Sequence, residues 1–583
     1  MQERIVIVGG VAAGASAAAK ARRTSETAEI VMFESGAYMS FANCGLPYYV
    51  GGEIAERDDL FVASPAEFMT RFRVDVRLNS KVVQVHAGER EVSYLDSDGG
   101  PQRLAYDRLV LATGTVPIVP PIPGLDGPTI FQCRTVPDAD AIVARIEAVD
   151  ARTPSPSTGG GGLALVIGGG YIGLECAEQL LQRGFGVTLV EAQEQLMGPL
   201  DAEMAQPLQS ALEASGVTVI VSDAVARIEP NGARSKAILR SGREIVFDVA
   251  LVGTGVRPNV ELAQRAGLRL GVSGAIAVDA QQRTSDDAIF AAGDNSETIF
   301  TPTGEAVNLP LAGPANKAGR VAGQNAAFDL AGLAQDDARR LRMGGTLGTA
   351  IVRCCDTVAG VTGLSEKEAR RRGIPVRTAY APGPSHAGYY PGATQMLLKL
   401  LYSPENGRLL GAQAVGQHGV DKRLDVLATA LYAGLSVEDL ERLDLCYAPP
   451  FGSAKDVAVV AGFVAANAWR GSSPGITPTA LRHELSTGAS PFLLDVRTQR
   501  EVEAGRLQSA LNIPVDELRE RTSEVPRDRP IVVYCAGGYR SYIAQQILLG
   551  SGFAGVRNLY GGYRLAHRVL GPELTEEPAP GGA

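Results

Sequence analysis

Leu163 to Gly173 reads LALVIGGGYIG, a five-residue apolar run, a cluster of glycines and the start of a small-residue helical pattern. Gly168, Gly170 and Gly173 satisfy GxGxxG. The first glycine permits a tight turn, the second lets backbone approach a pyrophosphate, and the third lets the helix pack closely on the strand. Glu191 closes the next strand-like run, Gly186 to Glu191. A carboxylate there accepts hydrogen bonds from a ribose 2′-hydroxyl and repels a 2′-phosphate. The spacing predicts a strand-turn-helix nucleotide unit that prefers NADH to NADPH.

A second unit opens the chain. Arg4 to Val8 is strand-like and runs into Gly9-Gly10-Val11-Ala12-Ala13-Gly14, where a valine stands at the usual middle glycine. Gly9 still permits the turn, Gly14 the close packing, and the N–H groups at the helix start can hold a pyrophosphate. Glu34, ending Ile30 to Glu34, supplies a ribose acceptor. Ala112-Thr113-Gly114 and Thr284 to Asp294 (TSDDAIFAAGD) add two elements, the latter ending in Gly293 and in Asp294, placed for a ribityl hydroxyl. One nucleotide site is thus inserted in the other between Gly114 and Thr284. The layout resembles the flavoprotein reductases with two dinucleotide-binding domains. It implies FAD and a nicotinamide, with hydride passing from NADH to the isoalloxazine and the protein supplying orientation and electrostatics.

The whole chain is larger than those two units. With 583 residues, 45% hydrophobic and 20% charged, it exceeds the size of one hydrophobic core, so several domains are expected. A net charge of −9 disfavours nonspecific binding to nucleic acid or anionic membrane. No signal peptide is expected from the residues before Arg4, and no apolar stretch reaches the roughly 18 residues of a membrane span. The seven cysteines, at 44, 133, 176, 354, 355, 446 and 535, show neither CxxC nor Cys/His ligand spacing. No disulfide framework and no metal site is expected, and a reducing cytoplasm is the expected compartment. Thr153 to Gly162 (TPSPSTGGGG) reads as a flexible loop, Arg470 to Pro478 as a break, and the Pro/Glu/Gly-rich end, 572–583, as a disordered tail.

Ser40 to Tyr49 (SFANCGLPYY) follows the first ribose-binding strand. Glutathione-reductase-like proteins carry a cysteine pair separated by four residues, but positions 39 and 49 are Met39 and Tyr49. Cys44 therefore has no local partner and must form a mixed disulfide, a persulfide or a sulfenate. A helix starting near it favours the thiolate. This segment, with Asn308 to Arg320, Ser385 to Ala393, Gly419 to Leu427 and Tyr447 to Asp456, resembles coenzyme A disulfide reductases and their rhodanese-fused relatives, including persulfide reductases. NADH peroxidases share the single cysteine but carry a histidine in the first glycine turn, where positions 11 to 13 here are Val-Ala-Ala. The resemblance places Cys44 near the flavin. It implies coenzyme A contacts at Ser16, Lys20, Arg23, Ser40, Asn43, Arg71 and Lys455, and an FAD contact at Val83. The helical cations Lys20, Arg22 and Arg23 are suited to nucleotide phosphates. Tyr447, with Tyr389 or Tyr390, is implied as proton donor at the flavin site, Tyr447 coming from the partner subunit of a homodimer.

Near the C-terminus, Tyr534-Cys535-Ala536-Gly537-Gly538-Tyr539-Arg540-Ser541 follows the apolar Ile531 to Tyr534. A cysteine on a glycine loop at a helix start collects backbone N–H groups around its sulfur, and Arg540 adds positive charge, a cradle for a thiolate or persulfide. With Asp495-Val496-Arg497 before it, CxxGxRS resembles a single-domain rhodanese; a phosphatase loop would need one more residue between cysteine and arginine. The expected fold is α/β: an FAD-binding domain (1–125 and 285–345) and an NAD-binding domain (126–284), both Rossmann-like, an α+β dimerisation domain (346–470) and a rhodanese-like domain (473–571). Core packing is expected for the remaining cysteines. The expected activity is NADH-dependent reduction of a coenzyme A disulfide, a coenzyme A persulfide or polysulfide. An oxidase or peroxidase cycling a Cys44 sulfenate, and a low-turnover redox sensor or sulfur carrier, are the alternatives.

Overall fold

The computed structural model describes residues 3–150 and 161–576. Most of the loop expected at Thr153 to Gly162, and the tail from 577 onward, lie outside the described residues. The start of that tail needs correction. Pro572–Leu574 form a 3₁₀ turn and Thr575–Glu576 pair with Arg506–Leu507, because Leu574 packs against a buried cluster and Glu576 bonds Arg506 at 2.6 Å.

The chain divides into two compact units. One comprises residues up to Gly198 with Leu212–Gly348, the other Pro199–Ala211 with the residues from Thr349 onward. In the first, β1 (Arg4–Val8) is buried from Ile5 to Val8 and leads into helix α1 (Ala12–Thr24). It lies between β2 (Glu29–Phe33) and Arg108–Leu111, and Val74–Arg77 and Ile289–Ala291 complete a five-stranded parallel sheet. A six-residue helix, α2 (Leu46–Gly51), follows β2 in sequence. The pattern repeats in β3 (Leu163–Ile167), helix α3 (Tyr171–Gln182) and β4 (Gly186–Val190). There β3 is flanked by β4 and Val249–Val252, with Thr218–Ile220 and Ile130–Phe131 at the edges, again all parallel. Both sheets put the strand that feeds the glycine turn at the centre, so each turn lies at the carboxyl end of buried strands, where doubly wound sheets bind ligands. Strands β2 and β4 stop one residue short of expectation, leaving Glu34 and Glu191 just beyond them. Helix α4 (Ala312–Leu330) packs along α1, and α2 along α3.

The second unit holds an antiparallel sheet ordered Ala350–Cys354, Thr357–Gly363, Leu409–Gly416, β6 (Gln395–Tyr402) and β5 (Arg377–Pro384), covered by helices Val420–Tyr432 and Val457–Trp469. A parallel sheet follows, with β7 (Ile531–Tyr534) at its centre and helices α5 (Tyr539–Gly550) and α6 (Gly562–Leu570) after it. The expected α+β and α/β modules are both present.

Lys399 of β6 is 1% exposed, a position an ammonium occupies only when paired. Its Nζ meets Asp201 Oδ2 at 2.8 Å, Glu203 Oε1 at 2.5 Å and Glu366 Oε2 at 2.7 Å. Gln413 donates to Asp201 Oδ2 (2.6 Å), the N–H groups of Glu366 and Lys367 donate to the same carboxylate (3.0 Å each), and the Tyr380 hydroxyl donates to Glu203 (2.7 Å). Three carboxylates close enough to hold a metal ion thus already hold an ammonium.

Lys399→Met should therefore leave buried carboxylates uncompensated and lower stability by about 3–5 kcal/mol near neutral pH. Denaturant unfolding measures it, and an unchanged midpoint would refute the role. Burial opposes but Lys399 and the hydrogen bonds prevail, holding the Asp201 carboxyl below its ordinary range. Its contribution is therefore present above the unfolded value of about 3.9 and lost as pH falls through the folded value. The deficit of the variant should shrink in acid.

Candidate active site

The two glycine turns are built alike. Gly9 and Gly168 both have φ +106°, and a Cβ there would stand 2.1 Å from Ala112 O and 2.4 Å from Gly253 O, respectively. A Cβ on Gly14 would stand 1.7 Å from Gly9 O, and one on Gly173 1.9 Å from Gly168 O. These contacts bring each helix start onto its strand end. The Gly10 N–H donates to Glu34 Oε2 (2.8 Å), as the Gly169 N–H does to Glu191 Oε2 (2.7 Å). The other oxygens accept the N–H groups of Gly36 (2.8 Å) and Gln193 (2.7 Å). Val11 departs from the fingerprint without distorting the turn. Its φ is −93°, like the −84° of Gly170, where a Cβ would meet nothing within 4 Å.

Around the first turn the Ala112 N–H donates to Val8 O (2.8 Å), and Thr113 Oγ1 donates to Asn259 O (2.6 Å). Gly114 has φ +64° and accepts the Asn259 N–H (2.9 Å). Val83 falls at a register shift of strand Lys81–His86 and accepts from Arg265 (3.4 Å). A Cβ on Gly293 would stand 2.8 Å from that of Ala13. Beside it the Asp294 carboxyl accepts no hydrogen bond from the described residues, and burial pushes its pKa up against the pull of Arg134. A cradle that admits no Cβ, a strand-end carboxylate fixed by backbone and a second carboxyl lacking donors fit the pyrophosphate, ribose and ribityl groups of FAD.

Ser40 sets the redox segment over this turn. It holds φ 46°, a left-handed conformation costly for a serine, and donates its N–H to Gly10 O (2.9 Å). Cys44 follows in the 3₁₀ turn Asn43–Gly45, two residues before α2. Its side chain reaches solvent, yet desolvation by surrounding protein, then the carboxylates of Glu175 and Asp294, push the thiol above the ordinary cysteine range, with Arg134 opposing them. This corrects the expectation that a helix dipole favours the thiolate: α2 is short, and two carboxylates face the sulfur. Glu175 comes from α3, the helix opened by the second glycine turn, and accepts the Tyr48 hydroxyl at 3.3 Å. Neither Glu175 nor Arg134 stands out in the sequence, since their proximity to Cys44 follows only from α2 packing on α3 and from the sheet order.

Arg22 also needs correction. It is 5% exposed and donates to the carbonyls of Phe72, Arg73 and Ser25 at 2.7–3.0 Å, so it ties α1 to the chain before Val74 and faces no phosphate. Lys20 is half-buried; burial, then Arg320 and Arg23, lower its pKa. Arg320, of α4, thus joins Lys20 and Arg23 in a cationic group that the sequence, reading one helix at a time, did not assemble. Ser16 donates to Asn316 of α4 (2.6 Å). Asn43 is half-buried and Arg71, in helix Pro65–Phe72, is exposed.

In the second unit the Tyr389 and Tyr447 hydroxyls share a hydrogen bond of 2.9 Å, and both rings are exposed. That bond raises the pKa of Tyr389. Tyr390 instead packs edge-on to His386 (centroids 5.6 Å apart), so Tyr389 is the one joined to Tyr447. Lys455 is exposed beside Asp456, whose carboxylate pairs with buried Arg423 (2.7 Å).

Cys535 directly follows β7 and is 2% exposed; its Sγ accepts the Gly538 N–H (3.1 Å) and the Ser541 hydroxyl (3.4 Å). Arg540 is not a free charge. Glu501 takes both its terminal nitrogens at 2.7 Å, and Cys535 is a lesser partner. The loop lies against β5, for a Cβ on Gly537 would stand 3.1 Å from Pro382 Cγ, and the Tyr380 and Tyr560 rings are 6.5 Å apart. Cys133, Cys176 and Cys354 are buried, as expected. Cys446 is exposed, against expectation, because it stands in a stretch without helix or strand next to exposed Tyr447.

Known proteins share this organisation. The family described as pyridine nucleotide-disulphide oxidoreductase matches residues 3–312, its dimerisation domain 349–458, and the rhodanese-like domain 477–566. The chain is 35% identical over 461 residues to the NAD(P)H coenzyme A polysulfide/persulfide reductase of Pyrococcus horikoshii, covering 79% of this chain and 98% of that one. Reduced CoADR-RHD of Bacillus anthracis superposes with a TM-score of 0.92 at 41% identity, over 99% of both chains. A NAD-dependent persulfide reductase of A. fulgidus gives 0.86 at 37%, over 96% of this chain and 99% of that one. Among the described residues no helix is long and apolar enough to cross a membrane.

If the Glu175 carboxylate helps to keep the proton on Cys44, Glu175→Gln should move the pH midpoint of Cys44 alkylation downward. Mass spectrometry of the Cys44 peptide separates it from exposed Cys446. An unchanged or raised midpoint would exclude Glu175 from the electrostatics of the thiol.

Proposed function

Because the chain belongs to the pyridine nucleotide-disulphide oxidoreductase family, we propose that it is an NADH-dependent reductase of coenzyme A disulfide and of coenzyme A persulfide or related polysulfides, with a rhodanese domain that carries sulfane sulfur. The observation that carries this reading is Cys44: one accessible thiol, with no cysteine at 39 or 49, set over one glycine turn and facing a carboxylate of the helix that opens at the other. Residues 1–125 and 285–345 hold FAD, 126–284 NADH, and 346–470 form the interface of a homodimer.

FAD, when bound, supplies the relay that carries two electrons from NADH to the sulfur held at Cys44. The backbone of Gly9 to Gly14 holds its pyrophosphate, Glu34 a ribose, and Asp294 the ribityl chain, with Val83, Ala112, Thr113 and Gly114 lining the site. Gly168, Gly170 and Gly173 receive the NADH pyrophosphate. Glu191 accepts its ribose hydroxyl and repels a 2′-phosphate. Lys20, Arg23 and Arg71, with Ser16, Ser40, Asn43 and Lys455, hold coenzyme A. The Cys44 thiolate attacks the S–S bond of the substrate, a Cys44–S–S bond forms, and the first thiolate or hydrosulfide leaves. Tyr447 of the partner subunit, hydrogen-bonded there to the partner's Tyr389, holds the proton for the departing sulfur. Cys535 forms a persulfide on its own loop, where the Gly538 N–H and Ser541 hydroxyl cradle the anion.

Cys44→Ser should reduce NADH oxidation with coenzyme A disulfide, coenzyme A persulfide and polysulfide to background. Comparable kcat/KM with peroxide would instead favour the sulfenate cycle. Cys535→Ser should spare coenzyme A disulfide reduction while ending sulfur transfer to cyanide. Glu191→Ala should cut the preference for NADH over NADPH by about tenfold or more, the order of a lost charge-assisted bond; an unchanged preference would remove Glu191 from coenzyme selection.

A further inference from the structure

The charges around Cys535 are distributed unevenly. On the loop itself Arg540 is closed by Glu501, which takes both terminal guanidinium nitrogens at 2.7 Å, so the sulfur mouth carries no net cation from this pair. Just behind the loop, α6 begins. The Tyr563 N–H donates to Cys535 O (2.7 Å) and the Arg564 N–H to Ala536 O (3.2 Å), which anchors the helix on the loop backbone. Arg564 and Arg568 are one helical turn apart on one face of α6, and both side chains reach solvent. Among the described residues neither has an acidic partner within ion-pair distance. Desolvation by surrounding protein and, next, repulsion by Arg564 lower the pKa of Arg568. Two arginines without an acidic partner, one turn apart on a helix anchored to the Cys535 loop, form an anion site, since guanidinium pairs well with phosphate.

We propose that Cys535 takes sulfur from a persulfide whose negative charges lie far from its sulfane sulfur, as the phosphates of a nucleotide thiol do, and that Arg564 and Arg568 bind those phosphates. This rests on the reading of Cys535 as a sulfur carrier. Thiosulfate has the opposite layout. Its sulfonate is bonded directly to the transferable sulfur and would bring its charge to a mouth where Arg540 is already neutralised. In the transfer, the Cys535 thiolate attacks the outer sulfur of RS–SH. The RS–S bond breaks, a Cys535–S bond forms, RS⁻ leaves and takes a proton from water, and no net oxidation occurs. Cyanide then removes the outer sulfur as thiocyanate and restores the thiolate.

The test measures thiocyanate formation by the full-length holoenzyme from coenzyme A persulfide, pantetheine persulfide and thiosulfate, in wild type and in Arg564→Ala/Arg568→Ala. The expected result is at least a tenfold kcat/KM advantage of coenzyme A persulfide over pantetheine persulfide in the wild type. That advantage should fall to about unity in the double variant, with thiosulfate poor in both. NADH-dependent reduction of coenzyme A disulfide, unchanged in the variant, shows an intact fold. An advantage that survives the double substitution, or thiosulfate used as well as coenzyme A persulfide, overturns the proposal alone. No sulfur transfer from either persulfide, while Cys44 still reduces coenzyme A disulfide, overturns the carrier reading of Cys535 as well.

Discussion

A carboxylate that takes a backbone N–H from a glycine turn holds this molecule's first unit in register. Glu34 does so at Gly10 and Glu191 at Gly169, and each bond requires the turn to sit where no Cβ fits, with φ +106° at the first glycine. The bond joins the end of the central strand to the end of its neighbour and fixes the carboxylate beside the turn. The repeat continues past the carboxylate. Ser40 and Met197, with φ 46° and 48°, return their N–H groups to Gly10 O and Gly169 O. In the first copy this return carries the chain on to Cys44. Cys44 is thus placed by the same backbone device that builds the glycine turn.

The two sulfur sites are surrounded by different groups. Around Cys44 desolvation and two carboxylates hold the proton on the sulfur. Around Cys535 the sulfur receives an N–H and a hydroxyl, and the nearest arginine is held by a glutamate. That loop suits an anion which stays in place, as a persulfide on a carrier does. Each region also carries a group of cations: Lys20, Arg23 and Arg320 between α1 and α4, and Arg564 and Arg568 on α6.

Within the second unit, Lys399 is the electrostatic pin. It gathers Asp201, Glu203 and Glu366 from segments far apart in sequence onto one strand, and Tyr380, bonded to Glu203, lies near Tyr560 of the neighbouring module. The contact of Gly537 with Pro382 brings the Cys535 loop onto the same strand, β5. The edge strand of the sheet and the Cys535 loop thus lie against each other.

The sequence by itself determined the elements whose reasons are local. GxGxxG requires its turn, the alternation of apolar runs and small-residue helices yields parallel sheets, and CxxGxRS sets a cysteine at a helix start; β1, β3 and β7 fall at the predicted residues. It also singled out Cys44, since the absence of a partner at 39 and 49 is visible in the chain. Tertiary structure decided everything that depends on distant residues meeting. Arg22 lies on the same helix as Lys20 and Arg23 but turns inward to three carbonyls. Tyr389 rather than Tyr390 reaches Tyr447, and Glu501 closes Arg540. Glu175 joins Cys44 across 131 positions of sequence. A propensity or a motif acts over a few residues, whereas charge and hydrogen bonding act over a few ångströms. Only the packed chain converts one scale into the other.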